Sequence, residues 1–323
     1  MNLKKILITG AGGYVGTPLV SRLLEDGFDV IALDIFWYGC YLQAHPKLVI
    51  LKADLRTVNL EDALANVDAV IHLACISNDP SYELNPAFSE SINVTASIRL
   101  IEQCKKSKIK RFVFASSSSV YGVRQEPRVT EKIFPEPLTV YSKSKVIIEE
   151  YLKNADDSFD VVIIRPATVY GFSPRLRLDV VCNMFSAQAY YNKVITVHGG
   201  EQLRPQIHID KMVLIYKACL TEKRLFSGEI FNASEENYSV KQIAEQVRAL
   251  LNRDIEIKYL PILDGRSYRI DSHKFLDFFK MNLIPNLKAG IGELMNYFDK
   301  NPDMAWMDMR YHNVKKLKNI YNE

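Results

Sequence analysis

The segment Gly10-Ala11-Gly12-Gly13-Tyr14-Val15-Gly16 constrains the fold more than any other part of this sequence. It follows a short apolar run at Lys5 to Thr9, which is typical of a buried strand, and it opens a stretch of helical spacing from Tyr14 to Glu25. Glycines between a strand and a helix let the backbone approach a pyrophosphate, while the helix N-terminus supplies N–H donors. An ordinary glycine-rich turn is the alternative, but the position after a strand favours a dinucleotide site. The residues expected to contact the dinucleotide here are Gly10, Gly13, Tyr14, Val15 and Gly16.

Further short apolar runs recur along the chain with helical stretches between them. Such runs are typical of parallel strands that are covered on both faces. We therefore predict an α/β fold, a doubly wound parallel sheet of the Rossmann type with a smaller α/β C-terminal substrate lobe. Residues 1–168 would form the dinucleotide-binding domain and 169–323 most of the lobe, interleaved by a strand that returns near 228–233. The predicted runs are Lys5 to Thr9, Asp29 to Leu33, Leu48 to Leu51, Ala69 to Leu73, Arg111 to Ala115 and Val161 to Ile164.

The overall charge and the cysteines exclude several classes of protein. The formal net charge of +3 over 323 residues comes with scattered lysines, so nucleic-acid binding is not expected. The five cysteines are never at CxxC spacing, which argues against a zinc site, any other metal site or a disulfide framework. No apolar run reaches a membrane-spanning length or resembles a signal peptide, so we expect a cytoplasmic protein without a membrane partner.

Asp34 ends the second predicted strand, at the distance beyond the glycines where a carboxylate usually binds the adenosine ribose hydroxyls. No arginine accompanies it in the sequence, because Ile35, Phe36, Trp37 and Tyr38 follow. A 2′-phosphate would meet this carboxylate without compensation. The sequence therefore favours NAD over NADP as the cofactor.

Tyr141 and Lys145 lie four residues apart in a helical pattern, so their side chains share one helix face. A phenol with an ordinary pKa of about 10 needs a nearby cation to become a base near neutral pH. A run of serines at positions 116–119 follows the predicted strand Arg111 to Ala115, at the functional edge of a parallel sheet, where a hydroxyl can hydrogen-bond a reacting oxygen. Chance spacing and a polar turn are the alternatives. Together the two features indicate proton abstraction from an alcohol.

The order of these motifs resembles that of the extended short-chain dehydrogenase/reductase family, particularly its NAD-dependent nucleotide-sugar epimerases and dehydratases. The resemblance covers most of the chain and is strongest in the first half. It implies that Ser117 is the catalytic hydroxyl, that Tyr141 is the base, and that Lys145 supports Tyr141 and binds the nicotinamide ribose. It also implies cofactor contacts from Asp54, Leu55, Leu73, Ala74, Cys75 and Asn93.

The resemblance extends to the substrate side of the site. It implies that Asn183 lies near the substrate phosphates and that Arg204 and Arg266 hold the nucleotide diphosphate, for which a guanidinium is well suited. Arg175 and Arg177 place two cations in the loop expected to cover the sugar, where they would meet the diphosphate or a larger or more polar sugar such as a heptose. Solvated surface positions are the alternative for both.

Sugar 4,6-dehydratases of the resembling family carry an Asp-Glu pair directly after the catalytic hydroxyl residue, where this chain has Ser118 and Ser119. Without those carboxylates the elimination of water lacks its acid and base, although both serines can still contact substrate. We therefore expect NAD-dependent hydride transfer at a sugar hydroxyl of a nucleotide-diphosphate sugar, as a 4-epimerase or 4-dehydrogenase for a surface polysaccharide. A 4,6-dehydratase, a 4-keto reductase and a catalytically silent NAD-binding sensor are the alternatives.

A homodimer is the expected assembly. The helices predicted around 93–106 and 141–153 carry more apolar residues than one sheet-facing stripe requires. In the resembling family these helices from two subunits form a four-helix bundle. The alternative is that all of them face their own sheet. The apolar residues in question are Ile98, Ile101, Val146, Ile147 and Tyr151.

Overall fold

The computed structural model describes residues 3–154, 159–251, 254–262, 267–284 and 286–322. Its strands are β1 (Lys5–Thr9), β2 (Asp29–Asp34), β3 (Leu48–Lys52), β4 (Ala69–His72), β5 (Arg111–Ala115), β6 (Asp160–Pro166), β7 (Thr168–Tyr170), β8 (Val194–His198), β9 (Leu203–His208), β10 (Glu229–Ala233), β11 (Glu236–Ser239) and β12 (Glu256–Leu260). Seven of them form a parallel sheet in the order β3-β2-β1-β4-β5-β6-β10. The predicted doubly wound Rossmann sheet is confirmed.

The helices of the described residues cover both faces of this sheet or pack within the second half of the chain. They are α1 (Gly16–Glu25), α2 (Leu60–Ala63), α3 (Asp79–Tyr82), α4 (Pro86–Glu90), α5 (Ser97–Lys106), α6 (Val140–Lys153), α7 (Val181–Ala187), α8 (Ile209–Thr221), α9 (Val240–Leu251), α10 (His273–Phe279), α11 (Leu287–Asp299) and α12 (Asn313–Asn322). Short 3₁₀ turns occupy Ser118–Tyr121 and Met309–Tyr311, and π-helical turns occupy Ser91–Ala96 and Gln188–Asn192.

Strand β1 explains why the apolar runs are continuous instead of alternating. Ile6 and Ile8 pack with Leu19 of α1 on one face of the sheet, whereas Leu7 packs with Leu100 of α5 on the other. Both faces exclude water, so the three central positions of the strand are all apolar. The same arrangement brings the carboxyl ends of β1, β2, β4 and β5 to one edge, where ligands bind in folds of this kind.

The second half of the chain adds two small sheets and further helices. One sheet has the order β11-β9-β7 and the other pairs β12 with β8. Strand β10 returns to the large sheet and pairs in parallel with β6, at the place where the sequence predicts a returning strand. Within the described residues, no helix is both long and apolar enough to cross a lipid bilayer.

The apolar residues proposed for a dimer interface are mostly covered by their own subunit. Ile101 is fully buried beneath the sheet, and Ile98 and Tyr151 pack against the same core cluster. Val146 packs against a smaller cluster around Tyr121. Ile101 therefore belongs to the intramolecular core, whereas Ile98, Val146 and Tyr151 are only partly covered by it, and the homodimer stays a prediction. Ile147 remains exposed, at 44%.

Candidate active site

The glycine loop between β1 and α1 packs too tightly for side chains at two of its positions. Gly10 has a φ of +73°, and a Cβ there would lie 2.6 Å from the backbone nitrogen of Ala74. A Cβ on Gly16 would lie 2.2 Å from the carbonyl oxygen of Gly10. The backbone of this loop is thus open to a ligand on its outer side, beside the N-terminus of α1.

Asp34 closes one end of the loop. Its carboxylate accepts hydrogen bonds from the backbone N–H of Gly12 at 3.0 Å and of Phe36 at 2.6 Å. Burial raises the pKa of Asp34, against the lowering effects of these bonds and of the Arg175 charge. No arginine follows Asp34 directly in the sequence, but the fold brings Arg175 close enough for its charge to act on the Asp34 carboxyl group.

Side chains on one face of helix α6 lie against the residues at the carboxyl end of β5. Ser117 and Tyr141 line the same cavity, and Ser117 acts to lower the pKa of the Tyr141 phenol. One turn later, the Lys145 ammonium donates to the carbonyl of Ala115 at 2.8 Å. Thr139 caps the helix, because its hydroxyl oxygen accepts from the backbone N–H of Ser142 at 3.2 Å. The predicted hydroxyl, base and cation therefore lie together at the carboxyl edge of the sheet.

The electrostatics of Tyr141 differ from the sequence expectation. Burial raises the pKa of Tyr141 well above its ordinary value, and Cys75 and Asp79 add to the rise. The hydrogen bond from Ser117 and the charge of Arg177 act in the opposite direction. The expected cation, Lys145, lies 5.8 Å from the centre of the Tyr141 ring and directs its ammonium to a backbone carbonyl.

A cavity of about 650 Å³ runs from the glycine loop to Tyr141, which is within the usual size range of ligand pockets. Most of the site residues predicted from the sequence line it. These are Gly10, Gly13, Tyr14, Val15, Gly16, Asp34, Asp54, Leu55, Leu73, Ala74, Cys75, Ser117, Ser118, Ser119, Tyr141, Lys145, Arg175, Arg177 and Arg204.

Two predicted contact residues lie behind the cavity wall. Asn93 is buried and exchanges two hydrogen bonds with the backbone of Ile76, at 2.8 and 3.0 Å. Asn183 is fully buried, and its amide donates to the Tyr14 hydroxyl at 3.0 Å while its oxygen accepts from Gly171 N–H at 3.0 Å. These amides hold loops that border the cavity, and the expected ligand roles of Asn93 and Asn183 stay predictions. Arg266 lies outside the described residues.

The polar residues around Arg177 form a part of the wall that the sequence did not indicate. Asp179 accepts a hydrogen bond from Arg177 at 2.6 Å, and the Arg177 charge lowers the pKa of Asp179 against the opposing effect of burial. Asn313 and Ser77 complete this group. Asp179 lies close to Arg175 and Arg177 in the sequence. Asn313 lies over a hundred residues away, and no sequence motif indicated a role for it.

Comparison with known proteins agrees with this architecture. The chain is 29% identical to the UDP-glucose 4-epimerase of Lactobacillus helveticus, covering 78% of this chain and 83% of the relative. A UDP-N-acetylglucosamine 4-epimerase from Methanobrevibacter ruminantium, solved with UDP-N-acetylmuramic acid, superposes with a TM-score of 0.85 at 25% identity, covering 93% of this chain and 100% of the other. A UDP-glucuronic acid 4-epimerase from Bacillus cereus, solved with UDP-glucuronic acid and NAD, gives 0.82 at 25% identity, with 92% and 99% covered.

The match to a family model settles the classification that the motifs and the sheet order indicate. Residues 6–234 match the model described as the NAD dependent epimerase/dehydratase family, and this range contains the glycine loop, Asp34, the serine run and the Tyr141 helix. The chain therefore belongs to the NAD dependent epimerase/dehydratase family.

Proposed function

We propose that this chain is an NAD-dependent 4-epimerase of nucleotide-diphosphate sugars. The observation that carries the proposal is one cavity that is lined at one end by the glycine loop and at the other by Tyr141 and Ser117. A dinucleotide bound at the glycine loop and a sugar substrate bound at the other end of the cavity would meet beside the hydroxyls of Tyr141 and Ser117. The related epimerases solved with UDP-sugars support the substrate class.

The residues at the glycine-loop end fit NAD. The close-packed glycines leave the loop backbone accessible to a diphosphate, and Asp34 is buried where it could accept hydrogen bonds from ribose hydroxyls. Asp54 and Leu55 would border the adenine, and Leu73, Ala74 and Cys75 the middle of the dinucleotide. When bound, NAD supplies the hydride acceptor.

Tyr141 would take the proton from the sugar 4-hydroxyl as the hydride leaves carbon 4, and Ser117 would hydrogen-bond the same oxygen. A buried phenolate is a strong base, so it needs positive charge nearby to form near neutral pH. Lys145 and the cationic nicotinamide ring of bound NAD would supply positive charge near the Tyr141 phenolate. Tyr141 would give the proton back to the same oxygen once the ketone at carbon 4 is reduced on its opposite face.

The serines after Ser117 favour this reaction over dehydration. Ser118 lies 3.4 Å from the hydroxyl of Tyr268, and Ser119 hydrogen-bonds Ser117 and Ser142. A carboxylate pair that could eliminate water is replaced by hydroxyls at both positions. Arg204 and Arg177 line the cavity and would meet the substrate diphosphate or a polar sugar, a hexose or a heptose. Synthesis of a surface polysaccharide is the role that we propose for the product.

A panel of UDP-, dTDP-, CDP- and GDP-sugars tests the proposal. Products are identified by NMR and mass spectrometry, and NADH by its absorbance. A 4-epimer of unchanged mass without net NADH is expected. Loss of two hydrogens from the sugar would instead show a 4-dehydrogenase, and loss of water would show a dehydratase. Hydride uptake by a 4-keto sugar would show a reductase. Retained NAD without turnover of any sugar would contradict the enzyme and favour an NAD-binding sensor.

A further inference from the structure

Asn313, the first residue of α12, reaches the cavity wall from a part of the chain remote from the motifs. Its backbone N–H donates to Asp179 at 2.9 Å, and its side-chain amide donates to the Ser77 hydroxyl at 2.9 Å. Its side-chain oxygen accepts from the Arg175 guanidinium at 2.5 Å. Asn313 is only 5% exposed, so these three bonds fix it in the wall.

Arg175 is a buried cation whose hydrogen-bonding capacity is only partly used. It is 2% exposed and stacks on the ring of Tyr38 at 3.9 Å. Its Nε is buried, and none of the described residues accepts a hydrogen bond from it. The neighbouring carboxylate, Asp179, already accepts from Arg177 and from Asn313. A buried guanidinium of this kind is stabilised by an anion that enters the cavity.

The position of Arg175 identifies which anion this is. The loop that carries it is tied to the glycine loop, since the Ser173 hydroxyl donates to the Tyr14 carbonyl at 2.8 Å and the Tyr14 hydroxyl donates to the Gly171 carbonyl at 2.7 Å. Tyr38, on which Arg175 stacks, follows the ribose-binding candidate Asp34 by four residues. Arg175 therefore lies beside the glycine loop, where the diphosphate of a dinucleotide binds.

We propose that Asn313 is a positioning residue for the dinucleotide, which holds Arg175 against the cofactor diphosphate and so tightens the binding of NAD. Helix α12 anchors Asn313 because Leu317 is buried against Ile76 and Tyr82. Part of the cofactor site is thus built by a helix that follows the family-matched residues 6–234. This inference rests on the proposed binding of NAD.

Equilibrium titration calorimetry on full-length protein stripped of cofactor tests the proposal. Asn313→Leu removes the acceptor for Arg175 and is expected to weaken NAD binding by about tenfold, the usual size for a charge-assisted hydrogen bond. Lys318→Ala, on the exposed side of the same helix, is the matched control and should leave NAD affinity unchanged. UDP affinity should be the same in all three proteins.

A double-variant cycle distinguishes positioning from a general structural effect. If Asn313 acts through Arg175, Asn313→Leu adds no further loss of NAD affinity in an Arg175→Met background. ADP-ribose should follow NAD, whereas adenosine, which lacks the diphosphate, should bind all variants equally. Additive losses, an equal loss for adenosine, or loss of UDP binding with NAD unchanged would overturn the inference, as would a wild type that prefers NADP. A wild type that binds no NAD would overturn the proposed function as well.

Discussion

The carboxylate of Glu149 accepts a hydrogen bond from the hydroxyl of Ser116, the residue directly before the candidate catalytic serine. Glu149 lies two helical turns beyond Tyr141, and Lys145 lies between them. Lys145 and Glu149 contact Ala115 and Ser116, and Tyr141 lines the same cavity as Ser117. Helix α6 therefore sets the position of the strand end that presents Ser117, and not only that of the candidate base.

Replacing Tyr141 with Phe is predicted to lower kcat by roughly 10²- to 10⁴-fold, the usual loss when a general base is removed. The ring is kept, so the fold and NAD affinity should change little. Initial rates with the sugar identified by the panel, together with calorimetry for NAD, measure both effects. A variant with a near-normal rate would remove Tyr141 from the mechanism.

Glu149→Leu is predicted to destabilise the protein by about 3–5 kcal/mol, because it leaves the buried guanidinium of Arg165 without its partner. Both carboxylate oxygens of Glu149 accept from Arg165, and each side chain is at most 2% exposed. Urea unfolding measures the loss. Glu150→Leu, at the next and exposed position, should cost far less. Equal effects of the two substitutions would argue against a buried ion pair.

His72 is predicted to make stability fall in acid. Burial lowers the pKa of His72 to about 3, whereas an unfolded histidine titrates near 6.5. Between these values the unfolded chain binds the extra proton, so the free energy of unfolding should fall by up to about 1.4 kcal/mol per pH unit as pH drops. This contribution is constant above about pH 6.5.

Urea unfolding between neutral pH and pH 4.5 checks this dependence. His72→Gln can still bond Thr9 and Ser97, the present partners at 2.6 and 2.8 Å, and should give a shallower decline. His45→Gln alters an exposed histidine and should leave the wild-type slope. A His72→Gln slope as steep as that of the wild type would show that other groups cause the acid sensitivity.

A homodimer through α6 is predicted to depend on Ile147 and Val140, which are both 44% exposed. Burying such side chains at a two-fold interface removes apolar surface from water. Light scattering should give twice the chain mass of 37.0 kDa for the wild type and a monomer for Ile147→Glu. Val49→Glu, on the opposite edge strand β3, should remain dimeric. A monomeric wild type would contradict the interface.

Features confined to one stretch of chain could be predicted from the sequence. Periodicity and motif order predict features that span a few residues or one helical turn. The glycine loop, Asp34 and the Tyr141–Lys145 pair are features of this kind. The sheet followed from apolar runs buried on both faces. Helix α9 likewise begins at a local signal, because Ser239 caps it and exchanges two hydrogen bonds with Gln242.

Contacts between distant segments could not be predicted in the same way. Arg175 bonds Asn313, and its charge acts on Asp34, only because the fold brings three distant segments to one cavity, and no local sequence pattern indicates this. The buried amide of Asn183 had the residue type of a ligand, but its position behind the wall depends on packing around Tyr14. The effect of burial on the Tyr141 pKa likewise depends on the folded surroundings.

The cavity wall extends in sequence from Gly10 to Asn313. Ribosomes make proteins from the N-terminus, and the first domain of a chain usually folds while synthesis continues. The glycine loop is therefore translated long before the residue that completes the wall around it. A nascent chain that has its Rossmann sheet but has not reached position 313 presents an open nucleotide cleft, so full enclosure of a dinucleotide has to follow the translation of α12.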